Sequence, residues 1–280
     1  MGRGVTVLAA ALAATLVAGC TPATGNDPVA GAASPAASGE RKVATIAEAF
    51  LSPMTPADNI DSPAAWRAPD GALWLIATAK ATDKLVVYDG QSGKHLRDVG
   101  STGTAPGQFD RPNGIAVSGD LVFIVERDNH RVQVLQLPDF KPLGVFAAGD
   151  LRKPYGLWVN PAQGGYDVYV TDSYDDGEDA AGNDILPALE RLNERVRRYH
   201  VEVGDGTVQA RLVRSIGDTS AKGALRVVES IWGDPANDRL LVAEEDETYA
   251  SEFKVYTLAG DFTGNTFGNG QFKAQAEGVI

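Results

Sequence analysis

The chain has one cysteine in 280 residues. Cys20 therefore closes no internal disulfide, and a zinc site built on several thiolates of this chain is excluded. Histidine is nearly as sparse. His95, His130 and His200 are isolated, without the spacing of a histidine metal cage, a histidine phosphatase or a nucleophile relay. Excess positive charge is missing as well. Asp and Glu number 37 against 25 Lys and Arg, a formal net charge of −12. That balance excludes a nucleic-acid binder, which needs clustered cations on its surface. No apolar run is comfortable as a membrane span: Val5–Val17 is Ala-rich and too short. Long helical periodicity is also lacking. Only LPALERLNERVR, Leu186–Arg197, offers a helical face, through Leu189, Leu192 and Val196, with Pro187 suited to a first turn.

What is present begins with targeting. Arg3, the apolar stretch and LVAGC ending at Cys20 read as a secretory signal over residues 1–19. Ala18 and Gly19 before the lone cysteine resemble a bacterial lipoprotein box. That resemblance makes Cys20 the lipidated first residue, with export across the inner membrane. A lipid anchor alone would then hold the protein at the cell envelope, in the periplasm or at the cell surface. Residues 20–42 are Pro, Ala, Gly, Ser and Asn with no aromatic residue, and are expected to form a flexible tether. Residues 43–280 are the expected folded domain.

That domain carries a recurring unit. A turn leads into a short apolar strand, then a more apolar strand, then outer strands. The first copy is read at Pro63–Trp66, Leu73–Ala79 and Leu85–Tyr88, and the second at Gly114–Val117, Leu121–Glu126 and Val132–Leu137. The third is read at Gly156–Val159, Val168–Asp172, Val196–Val203 and Gln209–Ile216, with Leu186–Arg197 as a helical excursion inside it. The fourth is read at Ser230–Trp232, Leu240–Glu244 and Phe253–Leu258. Copies spaced by roughly forty to fifty residues suit the four-stranded blades of an all-β propeller. A β-sandwich, the competing architecture, requires no such repeat. QAEGVI, Gln275–Ile280, looks like the start of a fifth copy, so the propeller is expected to be incomplete; the alternative is a strand that closes onto the first blade.

Several motifs, in order, resemble the β-propeller phytase family: IDSPAAW at Ile60–Trp66, ATAKATDKLVVYDG at Ala77–Gly90, RPNGIAV at Arg111–Val117 and KPYGLWV at Lys153–Val159. VYVTD at Val168–Asp172, QARLVRSIG at Gln209–Gly217, VESIWGDPANDRLLVAEEDE at Val228–Glu247 and AEGVI at Ala276–Ile280 complete the series. The resemblance implies a six-bladed propeller of which about four blades are visible here. It also implies calcium as the cofactor, holding and polarising the phosphates of an inositol phosphate or other phosphate ester. Gly107–Leu137 separately resembles an NHL repeat, a propeller unit used mostly for binding.

Residue by residue, the resemblance implies metal ligands at Asp61, Tyr155, Glu229, Glu245 and Glu277, and substrate contacts from Lys80 and Asn113. Calcium collects oxygen donors from separated segments, and strand ends around a propeller axis supply them. Bound cations would also let an acidic mouth accept a polyanion. In LLVAEEDE, Leu240–Glu247, the resemblance selects Glu245 as the acid facing metal and leaves Asp246 and Glu247 as solvated residues. The departures fall on the signature. Ser62 replaces an acid, Gly114, Ala116 and Ser118 replace an Asn, an Asp and an Arg, Ser173 stands where Lys often follows VTD, and Gln275 replaces an acid. Losing Arg and Lys removes strong phosphate contacts.

Remaining features take plainer expectations. DSYDDGEDAAGN, Asp172–Asn183, fails as a calcium loop because Tyr174 and Asn183 occupy ligand positions, and reads as an acidic surface loop. Asp128 is expected to pair with Arg131. Lys141 and Arg195–Arg198 are expected to be solvated. The functional expectation is a monomeric, calcium-dependent, phytase-like phosphohydrolase. The alternatives are a non-catalytic envelope propeller that binds protein, glycan or metal, and a lactonase-like calcium propeller.

Overall fold

The computed structural model describes residues 45–278 apart from Asp205, Glu247 and Ala250. The expected signal, the tether to residue 42 and Cys20 lie outside the described residues. Among the described residues, sixteen strands form four antiparallel sheets, each of four strands in chain order. The first comprises β1 (Ile60–Arg67), β2 (Leu73–Ala79), β3 (Lys84–Asp89) and β4 (His95–Val99). The second comprises β5 (Pro112–Ser118), β6 (Leu121–Glu126), β7 (Arg131–Gln136) and β8 (Lys141–Phe146). The third comprises β9 (Pro154–Ala162), β10 (Gly165–Asp172), β11 (Val196–Gly204) and β12 (Thr207–Ile216). The fourth comprises β13 (Ile231–Asp234), β14 (Arg239–Glu244), β15 (Glu252–Tyr256) and β16 (Phe262–Phe267). The inner strands β1, β5, β9 and β13 follow one another around a common axis. This is the β-propeller expected from the repeat.

Side-chain alternation explains how blades stack. In β6, LVFIVE, all six residues are buried, because successive side chains meet different neighbours. Val122 and Ile124 join Trp66, Ile76, Leu85 and Val87 of the first blade. Phe123 and Val125 join Leu157, Val168, Val170 and Val201 of the third. A third cluster places Trp158, Tyr169 and Val196 against Ile231, Leu240 and Val242 of the fourth. Each fully buried aliphatic side chain contributes about 1.5–3 kcal/mol relative to exposure. Among the described residues, the three largest hydrophobic clusters are thus the interfaces between successive sheets.

Polar locks set the spacing at the axis. Thr171 Oγ1 accepts from Gly156 N at 2.8 Å and donates to the Glu229 carbonyl at 2.9 Å, tying blade three to blade four. Thr78 makes the same pair of contacts, accepting from Ser62 N at 3.1 Å and donating to the Asn113 carbonyl at 2.6 Å. Backbones pass so closely here that a Cβ on Gly156 would strike the Glu229 carbonyl.

Buried carboxylates at the ends of the second strands hold the preceding loops. Glu126 accepts from Asp110 N, Asp172 from Arg152 N and Lys153 N, and Glu244 from Arg226 N and Val227 N. Asp172 therefore serves as a structural acceptor, fully buried at a strand end.

Several expectations need correction. Leu186–Arg197 forms only a 3-10 turn at Leu189–Arg191 before β11 begins at Val196. Arg195 redirects that segment, because its buried guanidinium donates to the carbonyls of Leu225, Asp172, Tyr174 and Arg226. Arg195 and Arg197 are 1% and 7% exposed rather than solvated. Arg131 pairs with Glu126 at 2.7 Å, while Asp128 pairs with Arg127 at 2.6 Å. Asp246 is 7% exposed and bonded to Thr248 rather than wet. Residues 268–278 carry no strand, and Val279 and Ile280, where the strand of a fifth copy would begin, lie outside the described residues. Ala276 packs with Ala243 and Phe253, and Gly278 N donates to Ser230 Oγ at 3.2 Å.

Candidate functional site

Main-chain bonds place matching residues of each blade at the channel. Lys80 N bonds Asn59 O, Arg127 N bonds Arg111 O, Ser173 N bonds Lys153 O, and Glu245 N bonds Val227 O. Two residues beyond each acceptor stand Asp61, Asn113 and Tyr155, at the start of β1, β5 and β9, and Glu229, two residues before β13. Four of the expected site residues are therefore one position repeated around the axis, with Lys80 and Glu245 each directly following a second strand. Glu277 joins Asp61, Lys80, Tyr155 and Glu229 along a channel cavity of about 590 Å³.

Lys80 is the centre of the first contact set. Its Nζ donates to Asp61 Oδ1 at 3.2 Å and to the Tyr155 hydroxyl at 3.0 Å. Burial pulls the ammonium pKa down, but Tyr155 and the Asp61 charge outweigh it, so the net displacement is upward. Lys80 is thereby kept charged. Burial also raises the Tyr155 phenol above its ordinary value, with the charges of Glu229 and Asp61 adding to it.

The carboxylates repel one another. Burial pushes Glu229 up to about 7, with Asp61 and Glu277 adding to the rise while Tyr155 and Lys80 oppose it. Burial pushes Glu245 up to about 9, and the charges of Glu229, Glu277 and Glu244 reinforce it. Glu245 is 1% exposed. Its Oε1 accepts weakly from Ser230 N at 3.4 Å, while Oε2 has no hydrogen-bond partner among the described residues. Asp61 Oδ2 is also buried without a partner among the described residues. Buried acceptors are rarely left this way.

These residues fit a hard divalent cation in chemistry. Their donors are oxygens, two buried oxygens are unpartnered, and a cation would relieve the repulsion. They do not form a closed cage. Among the described residues, no three His, Cys, Asp or Glu side chains converge closely enough to hold a metal by themselves.

Asn113 is fully buried, and neither amide atom finds a partner among the described residues. It occupies the blade-two position between Asp61 and Tyr155. Glu244, next to Glu245, is fully buried in the loop-holding role.

Sequence patterning pointed to none of Arg111, Arg127, Lys153 or Arg226, which line a smaller adjoining cavity of about 170 Å³. Aligning the four blades at their strand ends would have exposed the first three, because Arg111 and Lys153 match Asn59 and Arg127 matches Lys80.

The NHL repeat family matches residues 109–135, which run from the turn before β5 into β7. No curated protein sequence matches the chain. Among solved structures the chain is similar to a protein from Bacteroides uniformis provisionally assigned as a 6-phosphogluconolactonase. That similarity has a TM-score of 0.47 and 15% identity over 74% of this chain and 54% of the other. A Bacteroides caccae protein of unknown function gives 0.45 and 14%, over 75% and 67%. The nidogen–laminin complex gives 0.42 and 16%, over 77% and 82%. The chain thus spans about half the length of the first of these structures.

Proposed function

We propose that this propeller binds a divalent cation, calcium by its donor chemistry, at the acidic side of the channel, and uses it to engage a phosphate ester. The observation that carries the reading is Glu245: a buried carboxyl with one oxygen unpartnered, facing the charges of Glu229 and Glu277. Asp61, Glu229, Glu245 and Glu277 would each offer oxygens to the cation, with water completing its shell because no three of them converge by themselves; the Tyr155 hydroxyl would lie beside them. The ion would supply charge neutralisation and polarisation of phosphoryl oxygens. Lys80, kept cationic by Asp61 and Tyr155, would orient the substrate's oxyanion. Within this reading the protein is a phytase-like phosphohydrolase acting on inositol phosphates.

The lipoprotein-like start places the protein at the cell envelope in the same proposal. Among the described residues no helix is long and apolar enough to cross a membrane, so the envelope assignment rests on Cys20.

The test is phosphate release from phytate by the intact chain, with calcium and after chelation. Release that needs calcium and fails in Glu245→Gln supports the reading; no release from folded protein refutes hydrolysis. The second reading, a non-catalytic binding propeller, is favoured by the NHL match at residues 109–135. It is favoured too by Ser118 and Ser173, which stand where the resemblance leads one to expect phosphate-binding Arg and Lys. Capture of one envelope partner, lost on mutation of the channel mouth, supports it.

A further inference from the structure

Three blades hold the loop before their inner strand in one way, and the first blade holds its own in another. In blades two to four the second strand ends on a fully buried carboxylate, Glu126, Asp172 or Glu244. Each accepts the main-chain N–H of a matching loop residue, Asp110, Arg152 or Arg226. Those residues precede Arg111, Lys153 and Val227, whose carbonyls bond the residue after the carboxylate. Lys80 N bonds Asn59 O in the same pattern, so the blade-one counterparts are Ala79 and Asp58. Ala79 is fully buried and its side chain has no oxygen to offer.

The lock in blade one runs in the opposite direction. With no carboxylate facing it, Asp58 N turns back to Thr55 O at 2.9 Å, and Asn59 N to Pro56 O at 3.3 Å. The acid is instead on the loop. Asp58 Oδ1 accepts from Thr82 Oγ1 at 2.8 Å and pairs with Lys84 Nζ at 3.1 Å. Asp58 O also accepts from Ala81 N at 3.1 Å. Lys84 is held from its other side by Asp98, at 2.9 Å. The Asp58 side chain is 13% exposed, where the three other carboxylates are fully buried. This loop runs into Asp61, and the turn it grips begins with Lys80. Asp61 and Lys80 stand 3.2 Å apart.

We propose that Asp58 is a positioning residue, which sets Asp61 against Lys80 at the channel through its bonds to Thr82 and Lys84. It touches neither cation nor substrate. A carboxylate that accepts from an ammonium makes a stronger bond than two neutral groups do, so this one side chain can fix the loop on the turn. Asp61 and Lys80 carry opposite charges, and a shift of either changes the field that an ion in the channel meets. The consequence for binding rests on the cation site proposed above, whereas the lock itself stands without it.

The experiment measures amide exchange by nuclear magnetic resonance in the intact, calcium-free chain, then calcium affinity by calorimetry. Asp58→Ala, checked by circular dichroism, should speed exchange of the Lys80 and Ala81 amides about tenfold or more, as loss of a charged hydrogen bond does. The matching amides of Ser173 and Glu245 should exchange as in the parent. Lys84→Met should reproduce the effect, and Asp58→Asn, which keeps the Thr82 contact, should give a smaller one. Calcium affinity of Asp58→Ala should fall about tenfold, as when a partner that orients a metal ligand is removed. A parent that takes up no calcium refutes the cation site, and the exchange rates alone then decide the lock. Unchanged exchange at Lys80 and Ala81 in folded Asp58→Ala overturns the proposal. So does equal acceleration in all four blades, or unchanged affinity in a chain that binds calcium.

Discussion

The ammonium of Lys80 donates to the hydroxyl of Tyr155 across 3.0 Å, joining the first blade to the third through the channel. Asp61, 3.2 Å from the same nitrogen, completes the bridge. Lys80→Met should therefore cost about 1–2 kcal/mol in urea unfolding, the worth of a charged hydrogen bond lost at a partly buried site. In the same variant, calcium affinity should rise roughly tenfold, since a like charge has been removed from beside the cation. Phosphate-ester turnover should fall. Parallel loss of cation and substrate binding would instead assign Lys80 a purely structural role.

Glu245 gives a pH dependence with a definite sign. Its pKa of about 9 in the folded chain lies above the ordinary glutamate value of 4.5. The folded state holds the proton more tightly than the unfolded one. Stability from this group is therefore fully present below pH 4.5 and is lost as pH rises toward about 9. Glu229, raised to about 7, adds a loss in the lower part of that window. Urea unfolding of calcium-free protein at pH 6 and pH 9 should show wild type losing a few kcal/mol relative to Glu245→Gln, on the order expected from linkage. Equal losses in the two proteins would contradict the assignment.

Thr171→Val removes a hydroxyl that serves both Gly156 N and the Glu229 carbonyl. Two buried main-chain groups lose their partner, at a cost of about 1–3 kcal/mol. Because the second of them belongs to Glu229, calcium affinity should also fall. Thr78→Val should destabilise similarly, acting instead through Ser62 and Asn113. A destabilised Thr171→Val protein with unaltered calcium affinity would show that Glu229 is not a ligand.

Gly156→Ala tests the close approach of blades three and four directly. The new methyl would strike the Glu229 carbonyl, which is backbone and cannot swing aside. A loss of about 1–3 kcal/mol or more is expected, as for overpacked cores. Gly119→Ala meets nothing within 4 Å, but its φ of +58° makes it a control for strain without a clash. The two losses should differ clearly, with Gly156→Ala the larger.

The inner and middle strands were legible because they must be apolar. LVFIVE and LLVAE announce β6 and β14 through continuous burial. The outer strands β4, β8 and β16 escaped notice. HLRDV and FTGNTF are largely solvent-facing, so water removes the hydrophobic signal that marks a strand. The expected site residues were legible through the family resemblance alone; the folded chain shows that Asp61, Asn113, Tyr155 and Glu229 share one recurring position in the four blades. The basic cavity was missed because the strand ends of the blades were not aligned, which would have matched Arg111 and Lys153 with Asn59 and Arg127 with Lys80; Arg226 falls outside both matches and comes from the turn before β13. Arg195 misled the reading for a related reason: a charged side chain normally signals solvent, and here backbone carbonyls replace water.

The account rests on cation capture by the acidic half of the mouth. Its most direct test is calcium titration of the intact chain at pH 7.5, by calorimetry in two buffers of different ionisation enthalpy. Saturable binding that releases protons, because carboxyls with raised pKa must ionise to become ligands, and that disappears in Glu245→Gln, is the predicted result. A folded protein that takes up no calcium, or binds it without proton release and equally well after that substitution, would contradict it.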